Sequence, residues 1–239
     1  MNYSWRIAER ELTSKTIETI DFRVDSIELE LSPERSLEFS DPAIAHNARR
    51  ISSIVMTWRA VPGGSNRSDA AESISSALGF ARSIGAETLI VPFELLLNGK
   101  PDRDDSLHFV ASRLLDLRFE AQRRAIVLAC EVSTPFLMAA LEAREFFDRV
   151  TSPFVGASVN PARFACDQDA ADYVTEMTHR VAHVHLSLDA AHDVDVARWT
   201  DLLTAIRYRG PFSLSGECEK YFGLAKSLST SIAYNSGKA

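Results

Sequence analysis

The chain has 239 residues and 26.5 kDa, is 46% hydrophobic and carries a formal net charge of −7. That composition is too apolar for a disordered chain and provides for a sizeable core; no linker rich in Gly, Pro or Ser divides it, so residues 1–239 are expected to form one domain. The acidic balance, with no run of Lys or Arg, excludes a phosphate backbone as partner, and Arg49-Arg50 and Arg123-Arg124 are solvated helix ends.

Cys130, Cys166 and Cys218 lie far apart without CxxC spacing, as expected for a reducing, cytoplasmic compartment. The opening Met1-Asn2-Tyr3-Ser4-Trp5-Arg6 lacks the apolar stretch of a signal peptide, and no apolar run has the length of a membrane span. Neither a nucleic-acid nor a membrane partner is expected.

In chain order, Tyr3 to Ala8 is a short strand and Thr13 to Phe22 a helix. Asp25 to Leu31 alternates, with Ile27, Leu29 and Leu31 on one face and Glu28 and Glu30 on the other. Asp41-Pro42 opens a helix. Ser53 to Trp58 is a buried strand, followed by the loop Val61-Pro62-Gly63-Gly64. Asp69 with Glu72 forms a capping box, Ile74, Ala77, Leu78, Ala81 and Ile84 keep helical spacing, and Gly85 closes that helix. Thr88 to Phe93 is the next strand, and Asp105 to Gln122 a helix with Leu107, Val110, Leu114 and Leu117 on its buried stripe. Arg124 to Glu131 is a strand ending on a carboxylate. Thr134-Pro135 starts a helix with Leu137, Leu141 and Phe147 facing inward. Pro153 to Asn160 is strand six, and Asp169 to His179 a helix. Val181 to Leu188 alternates strictly, with His183, His185 and Ser187 on its polar face. Asp195 caps a helix burying Trp199, Leu202 and Ile206 and ending at Gly210; Pro211 to Ser215 is the last strand, followed by a terminal helix through Ser229.

Strands alternating with helices imply a parallel sheet with right-handed crossovers, and eight such units in about 250 residues point to a closed α/β barrel, (β/α)₈. An open doubly wound sheet is the alternative. No G-x-G-x-x-G follows an early strand, and Gly63-Gly64 alone does not make a phosphate loop. In a barrel, chemistry sits at the C-terminal strand ends. Like-facing residues on a strand are about 6.6–7 Å apart, so His183 and His185 can reach one small site. Parity puts Glu131 with Val127 and Ala129, Asn160 with Gly156 and Ser158, and Ser215 with Ser213, so Glu131, Asn160, His185 and Ser215 or Glu217 converge at neighbouring strand tops.

The order of these segments resembles a known family. Ala77 to Val91 (ALGFARSIGAETLIV), Glu131, VGASVNPAR on strand six, RVAHVHLSL on strand seven and RGPFSLS on strand eight look like the xylose isomerase-like TIM barrels, the sugar phosphate isomerase/epimerase group. The resemblance covers roughly residues 70 to 216. It implies one divalent metal, Mn, Co or Mg, held by Glu, Asp, His and Glu from strands five to eight. Here Glu131 and His185 match; Asn160 stands for the Asp, Arg163 where a His often follows, and Ser215 for the final Glu, with Glu217 two residues on. The implied metal set is Glu131, Asn160, His185 and Glu217, altered by loss of carboxylate charge.

The expected function is a sugar or sugar-like isomerase/epimerase, with Glu131, His185 and His183 moving protons and Arg163, Asn160, Ser215, Glu28 and Trp58 binding the small-molecule substrate. The alternatives are a metal-independent enzyme on the same scaffold, with Arg163 holding an anionic substrate, or a non-catalytic small-molecule-binding relative. The group's abasic-site endonucleases are disfavoured, because their multi-metal His/Asp/Glu set is missing. Short loops leave the pocket open enough for a homo-oligomer partner to complete it.

Overall fold

Alternation of period two in the strands and of 3.6 in the helices leaves each element with one apolar face to cover, and the solution here is a closed ring. In this computed structural model, residues 3–8, 26–31, 51–56, 68–97, 103–132, 139–187 and 194–215 are described. Strands β1 (Tyr3–Ala8), β2 (Ser26–Leu31), β3 (Ile51–Met56), β4 (Thr88–Pro92), β5 (Val127–Glu131), β6 (Val155–Val159), β7 (Val181–Ser187) and β8 (Phe212–Ser215) pair parallel in chain order, and β8 closes on β1. The described helices are α1 (Ser68–Ile84), α2 (Phe93–Leu97), α3 (Arg103–Arg124), α4 (Ala140–Val150), α5 (Asp167–Met177) and α6 (Val196–Ala205), with a 3₁₀ turn at Pro161–Arg163. None of them is long and apolar enough to cross a membrane.

The large core lies between barrel and helices. Leu29, Ile54, Leu89, Leu128, Cys130, Ala157, Val159, Val184, Leu186, Phe212 and Leu214 point outward into it and meet Ile74, Leu78, Val110, Leu114, Phe147, Val174 and Trp199. Inside the ring a separate plug of Val55, Ile90 and Ala129, with Ala182 against it, fills one part. Much of the remaining interior is polar: Glu28, Ser53, Thr88, Ser158, His183, His185 and Ser213 are all buried.

Two register shifts produce that polar interior. Ile27 pairs with Ile51 but Glu28 with Ser53, so Ser52 is the extra residue. Likewise Ala157 pairs with Val181 but Ser158 with His183, so Ala182 is extra on β7. A single inserted residue flips the following side chains to the opposite face. The bulge on β7 is therefore what turns His183 and His185 into the barrel. Gly156 makes room for it, since a Cβ there would lie 2.6 Å from the Arg180 carbonyl oxygen and 2.8 Å from the Ala182 Cβ.

Several expected boundaries shift. The third strand starts at Ile51, the fifth at Val127 and the last at Phe212, while the fourth gives way at Phe93 to the short α2. Leu141 is 56% exposed instead of facing inward, because α4 turns Ala143, Phe146 and Phe147 to the barrel. Leu202 and Ile206 are only half-buried, although Trp199 is buried as expected. The helix capped by Asp195, whose side chain accepts from the Arg198 N–H at 3.0 Å, ends at Ala205, before Gly210. The expected helices at 13–22 and after 41, the start at Thr134-Pro135, Trp58, Glu217 and the terminal helix lie outside the described residues.

Candidate active site

Register decides which side chains meet in the ring, because directly paired residues of neighbouring strands share a face. His183 sits opposite Ser158, His185 opposite Ser213, Ser187 opposite Ser215, and Glu28 opposite Ser53. These pairs assemble one hydrogen-bonded network. Glu28 Oε2 lies 2.7 Å from His183 Nε2 and accepts from Ser53 Oγ at 3.1 Å. Glu28 Oε1 accepts from Ser213 Oγ at 3.0 Å and stands 3.7 Å from His185 Nδ1. Ser213 Oγ is 2.8 Å from His185 Nδ1 and 3.1 Å from His183 Nε2. Ser158 Oγ lies 2.9 Å from His183 Nδ1, and Ser215 Oγ 2.9 Å from His185 Nε2.

Donor counting assigns the protons. With both oxygens of Glu28 accepting, His183 Nε2 carries a hydrogen, and its Nδ1 is left to accept from Ser158. Ser213 has one proton and gives it to Glu28, so its oxygen accepts from His185 Nδ1–H. In the neutral imidazole His185 Nε2 is then bare and accepts the Ser215 proton. The chain thus runs from a buried carboxylate to a hydroxyl at the C-terminal mouth. Glu28, Ser213 and His183 are wholly buried, His185 is 3% exposed, and Ser215 alone is half-buried.

Of the other expected residues, the described Glu131, Asn160 and Arg163 lie outside this network. Glu131 ends β5 with a side chain 13% exposed, and its Oε1 is 3.9 Å from Nε of Arg163. Asn160 spends its side-chain oxygen as the cap of the 3₁₀ turn, accepting from the Ala162 N–H at 3.1 Å. Behind Glu131, burial first of all, and then the Glu94 and Glu131 carboxylates, push the Cys130 thiol up, so it is a packed, unreactive group on the outer face of β5. Ser53, Ser158 and Ser213, which hold the network together, carry no functional motif in the sequence; the one signal is that Ser158 and Ser213 share strand parity with Asn160 and Ser215.

A divalent cation on Glu131, Asn160 and His185 needs free lone pairs that point at one spot. Both ring nitrogens of His185 are engaged by serines, Asn160 caps its own turn, and the Arg163 guanidinium faces Glu131. The described members of the expected metal set do not fit a cation in this arrangement, and Glu217 lies outside the described residues. Among the described residues no group of three or more His, Cys, Asp or Glu side chains is placed to hold a metal.

No family model and no curated protein matches the sequence. Solved structures do match the fold. A 3-keto-D-glucoside 4-epimerase from E. coli superposes with a TM-score of 0.69 at 16% identity, over 91% of this chain and 92% of its own. A D-psicose 3-epimerase from Clostridium cellulolyticum H10, solved with D-tagatose, gives 0.70 at 13% identity, over 90% and 84%. A xylose isomerase domain protein from Planctomyces limnophilus gives 0.68 at 14% identity, over 99% and 95%. At such identities the likeness concerns the path of the backbone, and on that ground the chain has the xylose isomerase-like TIM-barrel fold.

Proposed function

We propose that this protein is a sugar isomerase/epimerase-like enzyme that moves protons at the C-terminal mouth of its barrel, by a route that uses its own side chains. Glu131 is the base on the β5 wall. On the β7–β8 wall, His185 exchanges a proton with substrate through the Ser215 hydroxyl. His183, wholly buried, is a positioning residue that holds Glu28 and so fixes the proton on His185. Arg163 and Asn160 bind the substrate. The observation that carries this reading is the unbroken chain from Glu28 through Ser213 and His185 to the half-buried Ser215. An imidazole whose tautomer is fixed by a partner is suited to proton transfer next to a carbonyl. The sugar epimerases that share the fold agree with a small polyhydroxylated substrate. A cytoplasmic location fits the free thiols of Cys130 and Cys166, and residues 1–239 act as one barrel.

The test is solvent exchange. Incubated in D₂O with a panel of ketoses and 3-keto sugars, the protein is expected to place deuterium on the carbon beside the carbonyl, read by NMR. Glu131→Gln keeps the shape, removes the proton acceptor and is expected to slow exchange about 10²–10⁴-fold. Because the Arg163 contact of Glu131 is long and partly solvated, the unfolding midpoint should hardly move. Exchange at the wild-type rate in this variant removes Glu131 from the mechanism, and no exchange with any member of the panel overturns the reading.

A further inference from the structure

The same proton inventory gives Ser215 a second capability. Its Oγ is 2.9 Å from His185 Nε2, the ring nitrogen that carries no hydrogen in the neutral imidazole. The other nitrogen of that ring is held at 2.8 Å by Ser213, which itself donates to Glu28 at 3.0 Å. The direct distance from His185 Nδ1 to Glu28 Oε1 is 3.7 Å. A hydroxyl, an imidazole that accepts its proton and a buried acid that orients the imidazole are the parts of an activated nucleophile, whatever fold supplies them. Here a serine hydroxyl bridges imidazole and acid. Ser215 is also the end of the chain nearest solvent, where an electrophile arrives first. We propose that Ser215 is a nucleophile and that the protein hydrolyses short acyl esters through an acyl-serine intermediate.

The step balances within the residues named. Ser215 Oγ attacks the carbonyl carbon of the ester, forming a C–O bond, and its proton passes to His185 Nε2. The bond to the leaving alcohol then breaks, and the alcohol takes that proton. Water attacks the acyl-serine, gives one proton to His185, and expels the carboxylic acid as Ser215 recovers its hydrogen. No oxidant or further reactant enters. Glu28 and Ser213 act through His185 and are positioning residues.

This inference draws on the same network as the sugar reaction but needs no sugar chemistry, so the two fail separately: one is read as deuterium in a sugar, the other as a covalent adduct. The intact protein is treated with a fluorophosphonate, which forms an O–P bond to an activated serine and loses fluoride, and the labelled peptide is mapped by mass spectrometry. The expected result is one adduct, on Ser215, absent from Ser215→Ala, together with turnover of p-nitrophenyl acetate that begins with a burst. His185→Gln should slow labelling about 10²–10⁴-fold. No adduct, or one on another residue, overturns the proposal; so does labelling of a folded His185→Gln protein at the wild-type rate. If that variant does not keep the wild-type near-ultraviolet circular dichroism, the mapped site in the wild type alone decides.

Discussion

At the level of single residues, the barrel interior depends on how many donors one carboxylate can take. Glu28 accepts from Ser53 and Ser213 and pairs with His183, all out of contact with water. A buried acceptor with these partners contributes little beyond the cost of desolvation, but removing it strands every donor that pointed at it. Glu28→Gln tests this with almost no change in shape. One oxygen becomes an NH₂ that cannot accept, so at least one buried donor loses its partner. We expect a loss of about 1–3 kcal/mol in urea unfolding, and slower sugar exchange because the proton on His185 is no longer fixed. An unchanged midpoint would mean that water or another group already serves these donors. His183 and His185 were legible in the sequence because they alternate with valine and leucine on one strand. That His183 lies deeper than His185 was legible too, from its position two residues earlier on the strand; their serine partners were not, because Ser158 and Ser213 stand on the neighbouring strands.

Elements show the same division between what a pattern reveals and what neighbours impose. Most strands and helices follow from periodicity, but the β7 bulge leaves no mark of its own in the sequence beyond Gly156 on the neighbouring strand. Gly156→Ala puts a methyl group 2.6 Å from the Arg180 carbonyl oxygen, a backbone atom that cannot swing aside. The expected cost is about 1–3 kcal/mol by denaturant unfolding, with loss of sugar exchange as β7 shifts and the histidines move. Helix ends were harder to read than helix bodies. Gly85 (φ 80°), Ala125 (φ 55°) and Arg207 (φ 56°) all end their helices in the left-handed conformation. Each makes the same pair of bonds: Gly85 to Arg82 and Ala86 to Ala81, Ala125 to Gln122 and Ile126 to Ala121, Arg207 to Thr204 and Tyr208 to Leu203. A search for glycine finds only the first and sends the last helix on to Gly210. Left-handed backbone costs a residue with a Cβ about 1–2 kcal/mol, partly offset by the greater freedom of glycine in the unfolded chain. Ala125→Gly and Arg207→Gly should therefore each stabilise the protein by about 0.5–1 kcal/mol, measured as a raised unfolding midpoint. A lowered midpoint in both would show that their side chains contribute more than the strain costs.

On the scale of the whole molecule, the barrel keeps its apolar core outside the ring and a polar network within it, so closure of the ring is what keeps that network dry. The count of eight strands was legible because the strands carry their own patterns. The polar interior was not, since it needs two register shifts and pairing between residues as distant in sequence as Glu28 and Ser213. Closure rests on β1, which pairs with β2 from Ser4 to Ala8 and with β8 from Tyr3 to Trp5. Removing residues 1–8 leaves facing edges of β2 and β8 unpaired, and these are the strands that carry Glu28 and Ser213. Water then reaches a network whose bonds, that to Ser215 apart, are buried, and open parallel edges offer themselves to other chains. The truncated chain is expected to lose cooperative urea unfolding and to associate on size exclusion, whereas substitutions confined to the mouth, such as Glu131→Gln, leave both unchanged. A truncated protein that stays monomeric and unfolds at the wild-type midpoint would show that closure through β1 contributes nothing to holding Glu28 and Ser213 together.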